Sequence, residues 1–216
     1  MGIEDLVSDE RPDAGVMPSS SDAAMDVFDA GEIVDSGGPV DDGAIDANAP
    51  FKRVFVTSAK FGGNIGSLAV ATSHCKDAAT SGVLGGDWVA FLADGATKAI
   101  DVVPFDGPYK TLDGRLVSRS TMQLGSGTLI NAIDVDETGA KVTGSDESAF
   151  RVWTGTPANG NPQHTCVNWT SGQFTDFGTE GWCNHTDRKW LDTDGLATNG
   201  GGYACNTSGR LYCLEK

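Results

Sequence analysis

Apolar residues are distributed along this chain in two regimes that meet near residue 51. Before it, single apolar residues are scattered among Asp, Ala, Gly, Ser and Pro with neither helical nor strand period. After it, short apolar runs alternate with turn signals. Arg53-Val54-Phe55-Val56-Thr57 is a β-branched and aromatic run that predicts a strand. Ile65, Leu68, Ala69, Thr72, Cys75 and Ala79 recur at three- and four-residue spacing. They predict a helix capped by Asn64, running to about Ser81 and closed by Gly82, with Cys75 on its inner face. Trp88-Val89-Ala90-Phe91-Leu92 is continuously apolar and lies between Gly85-Gly86 and Asp94-Gly95. It predicts a strand buried on both faces.

From Ile100 to Gly144 the pattern breaks into short pieces. Asp113-Gly114, between Tyr109-Lys110-Thr111 and Leu116-Val117, predicts a hairpin. Val152-Trp153 and Leu211-Tyr212-Cys213-Leu214 have the composition of core strands, and the region between them is mostly loop. The fold class expected is α+β: one main helix, short antiparallel strands, and long loops late in the chain.

Charge sharpens the division. Residues 1–50 carry 13 of the 30 acidic residues and one basic residue, Arg11; residues 51–216 carry 17 acidic and 14 basic. A segment this acidic and this poor in apolar clusters cannot offset its ordering entropy. Residues 1–50 are therefore expected to be a disordered acidic stalk, and residues 51–216 a folded domain. Asp-x-Gly triplets such as Asp13-Ala14-Gly15 and Asp41-Asp42-Gly43 suggest calcium loops. Their irregular spacing and the lack of a terminal Glu favour a solvated spacer. The net charge of −15 excludes nucleic acid and anionic lipid as partners. No apolar run approaches the ~20 residues of a membrane helix.

All five Cys and all five Trp lie after residue 51. Cysteines beside aromatic residues, separated by Gly/Asn/Thr/Asp segments, are the mark of an exported, disulfide-stapled domain. The opening Met1-Gly2-Ile3-Glu4-Asp5-Leu6 has no signal-peptide character. Export then implies a signal or lipid-anchor segment outside this sequence. Spacing alone does not choose among the pairings of these cysteines.

In order, the chain carries Phe55-Val56-Thr57-Ser58, His74-Cys75, Trp88-Val89-Ala90-Phe91-Leu92, Val152-Trp153-Thr154-Gly155, Asn159-Gly160, Cys166-Val167-Asn168-Trp169 and Leu211-Tyr212-Cys213-Leu214-Glu215. This set resembles the endostatin-like branch of the C-type-lectin-like fold. It is especially similar to a bacterial family found in secreted lipoproteins of spirochaetes and myxobacteria. The resemblance covers residues 51–216. It implies two nested disulfides, Cys75 to Cys213 and Cys166 to Cys205, with Cys183 unpaired. The basic, heparin-binding character of endostatin is absent, as is a histidine ahead of His74 for its zinc site. The Glu-Pro-Asn or Gln-Pro-Asp triplet and Trp-Asn-Asp run of calcium-dependent sugar binders are also missing.

Candidate chemistry concentrates in residues 171–202. There Phe174, Phe177, Trp182 and Trp190 mix with Asp176, Asn184, Asp187, Arg188, Asp192, Asp194 and Asn199. In C-type-lectin-like domains the corresponding loop commonly carries ligand recognition. Aromatic faces stack on sugar rings while amides and carboxylates bond hydroxyls. The ligand-binding set proposed from sequence is Phe177, Trp182, Asn184, Asp187, Asp192 and Asp194. Against it, Trp182 and Trp190 can instead fill a satellite core, Trp190 being the stronger core candidate. Asp192-Thr193-Asp194-Gly195 fits a calcium loop or a plain β-turn. A zinc site from Cys183 and His185 with Asp187 or His164 lacks tight ligand spacing. No Gly-x-Ser-x-Gly is present. The sequons at Asn168, Asn184 and Asn206 are expected to stay bare, the resemblance being bacterial. The function expected is non-catalytic binding of an extracellular protein or glycan by a surface-anchored, adhesin-like domain, with no metal or cofactor. A secreted hydrolase and a structural subunit of a surface assembly are the alternatives.

Overall fold

A computed structural model describes residues 50–157, 162–193 and 202–216. The acidic segment up to residue 49, Asp194 and Asn199 lie outside these residues. The strands are β1 (Lys52–Val56), β2 (Phe61–Gly62), β3 (Trp88–Ala90), β4 (Tyr109–Thr111), β5 (Leu116–Ser118), β6 (Arg151–Trp153), β7 (Phe177–Gly178), β8 (Glu180–Trp182), β9 (Tyr203–Ala204), β10 (Ser208–Gly209) and β11 (Tyr212–Glu215). The main helix is α1 (Leu68–Ser81), and α2 (Thr121–Gly125) is a single turn beyond β5. The fold is α+β, with one main helix and two disulfides.

A five-stranded sheet in the order β3-β11-β1-β4-β5 organises the domain. Period-two alternation sorts its residues. Val54 and Val56 of β1, with Tyr212 and Leu214 of β11, face one core. Phe55, Cys213 and Ala90 face the other, against α1. β11 runs antiparallel to both neighbours, and β4 and β5 form the expected hairpin. The strand ladders among the described residues are antiparallel as expected, except that β1 and β4 are parallel. The chain between them is long enough to cross over through α1 and β3. Trp88-Val89-Ala90-Phe91-Leu92 is strand only to Ala90 and sits at the sheet edge, but it is buried on both faces as expected, with Trp88, Ala90 and Leu92 in the core against α1 and Val89 and Phe91 in the other.

α1 starts three residues later than the apolar period suggests. Gly66 has φ +111°, outside the helical region, and the Ser67 side chain accepts from the Val70 N–H at 3.2 Å. Ser67, not Asn64, is the N-cap. Ala71, Cys75 and Ala79 face inward, whereas Ala69 is exposed. At the other end the Val83 N–H donates to Thr80 O and the Leu84 N–H to Ala79 O, with Val83 at φ +55°.

The disulfides sit at the centre of the second core. Cys75–Cys213 ties α1 to β11, and Cys166–Cys205 ties the late loops together. Around them Trp153 and Trp169 meet edge to face at 5.8 Å. The indole N–H of Trp153 donates to Phe61 O and that of Trp169 to Ala93 O. Burying each such side chain contributes about 1.5–3 kcal/mol. The late loops are therefore held on the same core that α1 packs against. Cys166–Trp169 forms one left-handed turn, with φ of 49°, 55°, 54° and 64°. Such backbone persists in non-glycine residues only where the surroundings fix it. Here the disulfide, the Trp169–Ala93 bond and Asn168 Oδ1, accepting from the Gly95 N–H at 2.9 Å, do so.

Candidate functional site

β8 pairs antiparallel with β6, setting Trp182 opposite Arg151 and Glu180 opposite Trp153. Between them, Gly181 lets the chain fold back on itself. A Cβ there would stand 1.9 Å from Trp190 O, so only glycine admits the Arg188–Trp190 turn against β8. The Asp187 side chain caps that turn, accepting from the Lys189 N–H at 3.2 Å, and contacts His185 Nδ1 at 3.2 Å. The fold-back separates the two tryptophans. Trp190 is 1% exposed and packs on Phe91 and Tyr212, whose hydroxyl donates to Trp190 O. Trp182 is half-buried and borders solvent. Trp190 belongs to the core; Trp182 does not.

Trp182 lines an open cleft of about 260 Å³. One wall is Trp182, Asn184 and His185; the other is Phe150 with the turn at residues 144–147, including Asp146 and Glu147. The His185 ring lies 5.2 Å from the indole, and Lys189 Nζ lies 5.6 Å from the ring centroid. The polar groups differ in how far the fold uses them. Asp146 Oδ1 accepts from the Ser148 N–H and hydroxyl, and these bonds hold its carboxyl below the usual range. The Glu147 carboxylate and the Asn184 amide make no hydrogen bond or ion pair with any described residue. The Trp182 indole N–H is shielded from solvent without a partner.

Of the six residues singled out from sequence, the five that are described do not gather in one site. Trp182 and Asn184 line the cleft, and Asp187 supports it through His185. Phe177 is exposed on β7, edge-on to His164 at 6.4 Å, and is not part of the cleft lining. Asp192 is buried below the Arg188–Trp190 turn, its N–H donating to Arg188 O. Asp194 and Gly195 of the calcium-loop reading lie outside the described residues. Asp146, Glu147 and Phe150 escaped the sequence reading. Their one signal was a polar turn, Gly144-Ser145-Asp146-Glu147, directly ahead of a core strand; only the β6–β8 pairing brings it to Trp182.

Cys183 is a free, buried thiol packed among Val152, Trp190 and Leu191, and burial pushes its pKa up to about 12. Among the described residues no three His, Cys, Asp or Glu side chains converge as a metal site would require. Arg151 and Glu180 form an ion pair inside the fold, with the Arg151 guanidinium 4.2 Å from the Tyr203 ring. The pair braces the β6–β8 ladder beside the cleft. Among the described residues no helix is long and apolar enough to cross a membrane. Comparison with protein-family models and with curated proteins finds no match.

Proposed function

We propose that this chain is a non-catalytic binding domain that holds an extracellular glycan or protein ligand in the Trp182 cleft. The observation that carries the reading is the pairing of a half-buried indole with polar groups the fold leaves unused, Glu147 and Asn184. A flat apolar wall beside open hydrogen-bonding groups is how protein sites orient small polar ligands. The cleft's volume is below the ~300–1,000 Å³ of sites for drug-sized molecules, so it fits one residue of a larger ligand. Asp146 caps the Glu147–Ala149 turn, accepting from the Ser148 N–H, and so presents a fixed carboxylate at the cleft.

The fold reading within this proposal is an endostatin-like, C-type-lectin-like domain. It is supported by the five-stranded sheet, the single helix bonded to β11, and the second bridge inside the late loops. Two buried disulfides support export, since such bonds persist in oxidising compartments. Attachment to a cell surface through the acidic segment, in the manner of a lipoprotein adhesin, belongs to the same reading. Binding is taken to need no metal or other cofactor. An array of glycans and matrix proteins, probed with the chain in the presence and absence of EDTA, tests this. The expected result is a confined set of positives that EDTA leaves unchanged. A blank array, or positives lost with EDTA, contradicts it.

A further inference from the structure

We infer that the cleft selects a glycan residue bearing an ammonium group, an amino sugar, and rejects uronic and sulfated sugars. This rests on the binding reading above and adds the charge of the ligand to it. The lining carries two carboxylates, Asp146 and Glu147, and no Lys or Arg. Asp146 is held ionised by Ser148, and Glu147 is exposed without a partner. The nearby lysines lie outside the lining, which holds His185 as its one further polar ring. Lys60 Nζ donates to Ser148 O at 2.7 Å, and Lys189 lies against the Trp182 ring. His185 leans on Asp187. An incoming anion therefore meets two carboxylates within the lining, with Lys60 and Lys189 only at its border, whereas an ammonium group gains both carboxylates.

The remaining groups decide between a sugar and a lysine side chain as the carrier of that ammonium. A lysine needs only an aromatic face and a carboxylate. It would make no use of the Asn184 amide, which would stay hydrated. A sugar ring presents a C–H face to Trp182 and Phe150 and hydroxyls to Asn184. An amino sugar engages the aromatic walls, the Asn184 amide and the two carboxylates together.

Titration calorimetry of the full chain with a glucosamine tetramer, its N-acetylated counterpart, a galacturonate tetramer and a lysine tripeptide tests this at low and high salt. The free-amine tetramer is expected to bind roughly tenfold or more tighter than the acetylated one, the worth of a charge-assisted hydrogen bond. The uronate should not bind, and salt should erode the preference. Glu147→Gln should bring the amine and acetylated forms near parity without lowering the melting temperature. Trp182→Ala should abolish all binding. Equal or tighter binding of the acetylated or uronate tetramer overturns the charge selectivity and leaves the binding reading standing. Tighter binding of the lysine tripeptide overturns the sugar assignment. Amine binding that survives Trp182→Ala removes it from this cleft, and silence from every probe counts against both inferences.

Discussion

Cys75, on the inner face of α1, is bonded to Cys213 in β11, and the bridge spans a sequence separation of 138 residues. Cys166–Cys205 spans 39. On the chain-entropy relation these are worth about 5 and about 4 kcal/mol. The left-handed turn at Cys166–Trp169 widens the difference, because releasing it returns strain. Replacing Cys75 and Cys213 together by alanine should lower the urea midpoint more than replacing Cys166 and Cys205. Unfolding curves of the two double variants check the order.

Val83 is 90% exposed at φ +55°, in the position after a helix end that glycine usually fills. Left-handed backbone costs a β-branched residue about 1–2 kcal/mol. Part of the relief in Val83→Gly is offset by the freer unfolded chain. A net gain of about 0.5–1 kcal/mol should appear as a melting temperature about 2 °C higher. Val83→Ala, which keeps the Cβ, should not show it.

Helix and strands were legible where side-chain period sets them, and boundaries were not. Ile65 lies in phase with α1 but packs into the second core from the loop ahead of the cap, so period alone drew the helix too long. The parallel β1–β4 ladder joins segments over fifty residues apart, and no local residue choice records strand direction across such a gap. The cleft was half legible. The sequence marks Trp190 as the stronger core candidate, and the fold-back over Gly181 is what buries it while Trp182, at the end of β8, stays at the surface. Asp146 and Glu147 join through strand pairing and carry no motif of their own.

Arg53 donates to the Glu215 carboxylate from Nε at 2.9 Å and from Nη2 at 2.7 Å. These bonds hold the Glu215 carboxyl below its usual range. A depressed folded-state pKa gives stability that is present above the unfolded value of about 4.3 and fades as pH falls through the folded one. Arg53→Met should therefore be less stable than the parent at neutral pH, with the gap closing below about pH 4. Chemical denaturation at a series of acidic pH values reads this directly.

Burial pushes the Cys183 thiol up to about 12, so almost none is thiolate at mild pH. Ellman's reagent at neutral pH should leave the folded chain untouched and titrate one thiol once denaturant is added. Prompt reaction of the folded chain would contradict the packing around Cys183.

The Trp182 ring is proposed as a binding surface and not as part of what holds the fold. Trp182→Phe keeps an aromatic face and removes the indole N–H that is shielded without a partner, whereas Trp182→Ala removes the face. Both should melt close to the parent. Titrating the three proteins with a ligand identified on the array is the decisive measurement. Trp182→Phe should retain binding in part and Trp182→Ala should lose it, with all three proteins folded. Parent-like binding by Trp182→Ala, or collapse of its fold, would contradict it.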